Sequence, residues 1–288
     1  MIAICRRNIK LFFRDKANVL FSLLSVLIII GLYVLFLGEM MTQGYEESGI
    51  SVAAVRFLMD SWIMAGVISV ATFTTTLGAF SIYVSDNANK INKDFLSAPV
   101  KRSSLTGGYV LSAYIIGVVF TLIAFVFAQI YIVAYGGELL PIESMLKVLG
   151  CILIAVLSSS ATIFFIISFI KTLNAFATFS TIIGTMIGFL TGVYMPIGIL
   201  PAPVQWVVRI FPVSHAAVLI RQIMMKIPME RAFGGLPAEV VNEFKISNGV
   251  VFEFGSYTAD WVLSFAVLAI TAIIFFALGI LAVSRKKK

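Results

Sequence analysis

Charge is scarce in this sequence. Asp, Glu, Lys and Arg make up 12% of its 288 residues, about half the share of a soluble domain. With 60% of the residues apolar, an ordinary water-soluble globule is excluded, because one core cannot bury that much apolar surface and a bilayer can. Histidine occurs once, at His215, which leaves no imidazole pair for a metal. The two cysteines, Cys5 and Cys151, form neither a disulfide framework nor a metal-ligand spacing. No GxxxxGK[ST] loop is present, so any ATP hydrolysis belongs to another polypeptide.

Long apolar runs fill the space that charge leaves. A spanning helix needs about 20 mostly apolar residues, and six stretches qualify: roughly 17–37, 61–84, 109–135, 148–170, 172–194 and 261–283. The first is too long for a signal-peptide core, and Gly38-Glu39-Met40 offers no small-x-small cleavage site, so it reads as a retained span. The expected fold is an all-α polytopic membrane protein, a single transmembrane domain over 1–288.

The few charges are unevenly placed. Fourteen of the 21 basic residues fall in the N-terminal segment, the connections 85–108 and around Lys171, and the tail Arg285–Lys288, with only Asp15, Asp86 and Asp94 for company. Positive flanks stay in the cytoplasm, so both termini are expected inside. The net charge of +7 follows from this bias and does not point to nucleic acid.

No ionisable residue falls in the middle of any of these six stretches. Gradient-driven transporters and charged-ring channels usually carry such groups at membrane depth, so both classes are disfavoured. Hydroxyls take their place, most densely in the second and fifth stretches. They serve helix packing, or they line a route for an amphipathic substrate, with Thr72, Thr75, Thr76, Thr178, Thr181 and Thr185 as the candidates.

Four pieces lie outside the spans. Residues 1–16 read as an interfacial amphipathic helix, with Ile2, Cys5, Ile9, Phe12 and Phe13 on an apolar stripe and Arg6, Lys10 and Arg14 toward anionic lipid. The connection 85–108 is longer than a hairpin needs, and Ile91, Phe95 and Leu96 give it an apolar edge. It suits docking into a groove on a cytoplasmic partner, or it is a solvated turn. Residues 192–212 are apolar but broken by Pro196, Pro201, Pro203 and Pro212. They are expected to form a re-entrant element on the outer side, because broken backbone at membrane depth must be buried or face a wet cavity. Arg209 and Arg221 are expected at the interface, where long cations snorkel, and His215 in a polar contact nearby. Residues 223–259 read as an outer loop with one short helix.

In this order, the parts resemble the membrane permeases of type-2 ATP-binding-cassette (ABC) exporters over essentially the whole chain. The likeness rests on KDFLSAPVKRSSLTGG, where Phe95, Leu96, Pro99, Val100, Lys101, Leu105 and Gly108 match the family pattern, and on GVYMPIGILPAPVQWVVRIFPVSHA, with Pro196, Leu200, Pro201, Trp206 and Pro212. One departure is Asp86-Asn87-Ala88-Asn89-Lys90, where the family often carries Glu-Arg-Glu.

The resemblance implies a permease in a bacterial cytoplasmic membrane that does no bond chemistry. Two permeases would pair, as a homodimer or with a paralogue, above two copies of an ATP-binding subunit that holds ATP and Mg. Lys90, Lys93, Asp94, Phe95, Leu96, Pro99, Lys101 and Arg102 would form the coupling segment. The cargo would be a drug, an antibiotic or a peptide. A lipid-linked glycan or another lipid is the alternative, and a secondary transporter or channel is a third, disfavoured class.

Overall fold

The computed structural model describes residues 1–34, 51–91, 95, 102–255 and 257–285. Helix α1 (Ile2–Arg14) stops at Asp15, whose carboxylate accepts the Asn18 amide at 3.0 Å and so caps α2 (Lys16–Leu32). After the undescribed stretch 35–50 come α3 (Val52–Ala79), α4 (Ser81–Ala88), α5 (Arg102–Ala134), α6 (Ile142–Ile167) and α7 (Leu173–Leu190). A 3-10 turn (Ile197–Ile199) leads to α8 (Ala202–Ile210), α9 (Pro212–Met224), α10 (Lys226–Ala232) and α11 (Ala238–Ser247). A two-stranded hairpin, β1 (Phe252–Phe254) and β2 (Tyr257–Ala259), precedes α12 (Trp261–Arg285).

Five stretches among the described residues are long and apolar enough to cross a membrane: α3 with α4, α5, α6, α7 and α12. Helix α2 adds 17 apolar-rich residues before the description breaks off, which is the lower limit for a span. The pair α8–α9 is bent by 83°. Each proline of the stretch 192–212 sits where a helix begins: Pro196 before the 3-10 turn, Pro201 before α8, Pro203 as the second residue of α8, and Pro212 as the first residue of α9. At that position the missing N–H costs nothing and the fixed φ helps.

Helix α3 is the centre of the bundle, packed by α2, α5, α6, α9 and α10. Small residues make the close approach possible. Gly117 of α5 faces Thr76 of α3 with no room for a methyl, and Gly66 of α3 is equally tight against Val193. The hydroxyls of Ser69, Thr72, Thr75 and Thr76 each bond a carbonyl three or four residues back at 2.7 Å, which satisfies them without a partner helix.

The helix that carries the second apolar stretch is longer than that stretch. It starts at Val52, ahead of residue 61, and so takes in Arg56 and Asp60. Asp60 is 1% exposed and holds Arg56 Nε at 3.3 Å, one turn away. The (i, i+4) pairing lets two charges enter a helix whose hydropathy alone would exclude them. The stretch 223–259 also carries more structure than one short helix, since α10, α11 and the hairpin all lie in it.

Candidate functional site

One end of the bundle gathers α1, α4, the start of α5 and the close of α12. A methyl on Gly108 would meet Ile4 at 2.8 Å, and Ser284 borders the same cavity as Ser103. Both described ends of the chain thus lie on one side.

Helix α1 docks on protein there. Its buried residues are Cys5, Asn8 and Phe12, while Ile2 is 76% exposed and Phe13 47%. The stripe read from the sequence is therefore divided, with Cys5 and Phe12 turned inward beside polar Asn8 and with Ile2 and Phe13 turned outward. Asn8 can be buried because its side chain donates to Ser112 Oγ at 3.2 Å. Phe12 meets Phe120 of α5 edge to face at 5.5 Å.

At the heart of this end is Asp86, 4% exposed near the close of α4. Arg7 grips it with both terminal nitrogens, at 2.6 and 3.2 Å, and Tyr109 of α5 donates its hydroxyl at 2.5 Å. The hydrogen bond to Asp86 holds the Arg7 guanidinium above its ordinary pKa. The same guanidinium lies 5.2 Å from the Phe95 ring centre. One side chain thus ties α1 to the helix that enters the connection 85–108 and to an aromatic within it.

The predicted coupling residues divide. Lys90 ends α4 with a φ of +62°, the left-handed conformation that commonly stops a helix. Phe95 is half-buried beneath Arg7, and Arg102 opens α5. Lys93, Asp94, Leu96, Pro99 and Lys101 lie outside the described residues.

The two threonine sets also divide. Thr72, Thr75 and Thr76 are completely enclosed inside the bundle, and among the described residues they face no opening. Thr178, Thr181 and Thr185 sit on an exposed side of α7, beside Ile182 and Met186. Their hydroxyls bond the helix's own carbonyls at 2.8–3.0 Å.

At the other end the structure corrects a further expectation. Arg221, expected at the interface, is completely buried. Its guanidinium stacks on Trp62 at 4.9 Å and donates to the carbonyls of Gly192, Gly249 and Trp62 at 3.0, 3.4 and 3.5 Å. Gly192 and Gly249 have φ of +66° and +62° and follow the ends of α7 and α11. Helix C-termini carry partial negative charge, so two of them converge on the cation in place of a carboxylate. Trp62 Nε1 locks the same corner by donating to Asn248 O at 2.7 Å. The glycines that follow two helical runs are the only trace of this arrangement in the sequence, and they do not name their partner. His215 is likewise buried, with Nε2 2.8 Å from Arg209 O and Nδ1 3.2 Å from Ser264 Oγ. The polar contact expected of it exists, inside the protein.

The fold and its apolar helices define a multi-pass helical membrane protein. A family model described as ABC-2 family transporter protein matches residues 39–281. The chain belongs to that family and is a membrane subunit of an ABC transporter, not itself the catalytic component. No curated protein sequence matches it.

Proposed function

We propose that this chain is the permease of an ATP-driven exporter of amphipathic compounds, working as one of a pair above two ATP-binding subunits that hold ATP and Mg. The carrying observation is the grip of Arg7 on Asp86 and over Phe95. It makes α1 and the segment leading into residues 86–102 one mechanical body. Force applied to that segment from an ATP-binding subunit would pass through Asp86 and Tyr109 into α4 and α5, and so reach the central helix α3. Under this reading the basic end faces the cytoplasm. The exposed side of α7 with Thr178, Thr181 and Thr185 faces the pathway between two permeases, and the bent pair α8–α9 is the re-entrant element beside its exit.

The test is co-expression with a candidate ATP-binding subunit, followed by transport and ATPase assays in proteoliposomes. Phe95→Ala and Leu96→Ala are expected to leave ATP hydrolysis largely intact while abolishing substrate movement. Substrate movement by the purified chain with no ATP-binding subunit would sink the proposal. A comparison of drugs with lipid-linked sugars as ATPase stimulants decides the cargo class.

A further inference from the structure

Helices α5, α6 and α12 leave a long groove on a side of the bundle that α7 does not line. Two cavities, of about 840 and 670 Å³, lie end to end and share Tyr114 and Leu157. The groove they form runs from Ser103 and Ser284 at the basic end to Trp261 at the other. Along α12 that is a rise of about 35 Å, enough to cross the roughly 30 Å hydrocarbon layer.

Its lining is ordered like an amphiphile. On α6, Lys147 stands at the mouth, Gly150 and Cys151 lie one turn deeper, and Ile154, Leu157 and Phe164 continue inward. A methyl built on Gly150 meets nothing within 4 Å, so the notch under Lys147 is open space. Trp261 and Gln222 complete the mouth, and Gln222 also borders an adjoining hollow of about 520 Å³ that carries Lys226 and Lys245. Among the described residues, the acids nearby are Glu143, paired with Lys147 at 2.6 Å, and Glu230, so three cations face two carboxylates there. The Lys147–Glu143 pair is largely exposed on both sides, at 60% and 79%, and such a pair contributes little and exchanges readily for another anion.

We propose that this groove binds an anionic phospholipid, with an acyl chain along Gly150, Cys151 and Leu157 and the phosphate between Lys147 and Lys226. Hydrocarbon satisfies an apolar groove at membrane depth, and a lysine–tryptophan mouth at its end matches a headgroup. The proposal is independent of the cargo, since it concerns a surface apart from α7.

The chain offers its own reporter. Of its three tryptophans, Trp62 is fully enclosed, Trp206 is 51% exposed and Trp261 lies at the groove mouth. In a Trp206→Phe background, the protein is placed in nanodiscs containing phosphatidylglycerol or phosphatidylcholine with brominated acyl chains, with Trp261→Phe as the blank. Brominated phosphatidylglycerol is expected to quench Trp261 at roughly five-fold lower mole fraction than brominated phosphatidylcholine, the preference that about one lysine contact provides. Lys147→Gln combined with Lys226→Gln is expected to erase the preference, and Gly150→Leu to weaken quenching by both lipids. Equal quenching by the two lipids overturns the proposal. So does a preference that survives loss of both lysines, or an unquenched Trp261, the result if a second copy or another protein covers the groove.

Discussion

At the scale of single residues, Asp86 and Arg221 solve the problem of a buried charge in opposite ways. Asp86 has a guanidinium and a phenol within 3.2 Å. Asp86→Asn removes the ion pair but leaves Arg7 some access to water, since its side chain is 30% exposed. The expected loss is therefore about 2 kcal/mol, below the 3–5 kcal/mol of a fully buried pair. Thermal unfolding of the detergent-solubilised protein measures it, and a cycle with Arg7→Gln should show strong coupling between the two sites. Among the described residues Arg221 has carbonyls and one indole as partners, and that set suits a flat, forked cation. Arg221→Lys keeps the charge but cannot reach Gly192 and Gly249 together. We expect it to destabilise by about 2–4 kcal/mol, more than Arg221→Met, which removes the desolvated charge itself. A methionine variant that melts below the lysine variant would contradict this account of the site.

At the scale of elements, α1 is held to the bundle by shape as well as by charge. Phe12 is fully enclosed and Gly108 is pressed against Ile4. Phe12→Ala should cost about 3–4 kcal/mol through the cavity it leaves. Gly108→Val should lift α1 by collision while leaving the Arg7–Asp86 partners chemically intact. Limited proteolysis near Asp15 reads both, as faster cleavage than in the parent protein. The broken stretch 192–212 shows the complementary case, in which local sequence decides alone. Its prolines punctuate the chain wherever a helix is to start, and the 83° bend between α8 and α9 falls at Phe211–Pro212. Pro212→Ala should leave that bend in place, because Phe211 is extended and α9 is held by Arg221. A distance measurement between spin labels on α8 and α9 checks it.

At the scale of the whole molecule, the chain is a bundle built around one enclosed helix, with α7 and α12 largely uncovered. The basic flanks collect at the end that holds α1 and the close of α12. If that end is cytoplasmic, a membrane-impermeant maleimide should leave Asn89→Cys unlabelled in intact cells and label Glu239→Cys. Both variants are made in a background without Cys5 and Cys151. The reverse pattern would invert the orientation and, with it, the placing of the coupling segment.

Composition and hydropathy were enough to show a helical membrane protein, and the order of its interruptions pointed to the family. Spans and prolines are local properties, written as runs of apolar residues and as fixed φ angles, so a linear reading finds them. The sites were less legible. Asn8 looks polar and Phe13 apolar, yet burial favours Asn8, because Ser112, 104 residues away, supplies its hydrogen bond. Asp60 lies just outside the apolar stretch read from the sequence, yet it is buried in the same helix with Arg56 one turn away. The threonines of α3 and α7 read alike in sequence, and only packing separates an enclosed set from an exposed one. Arg221 is the extreme case. Its partners are main-chain carbonyls, which every sequence possesses, and only the tertiary structure turns two helix ends toward one guanidinium.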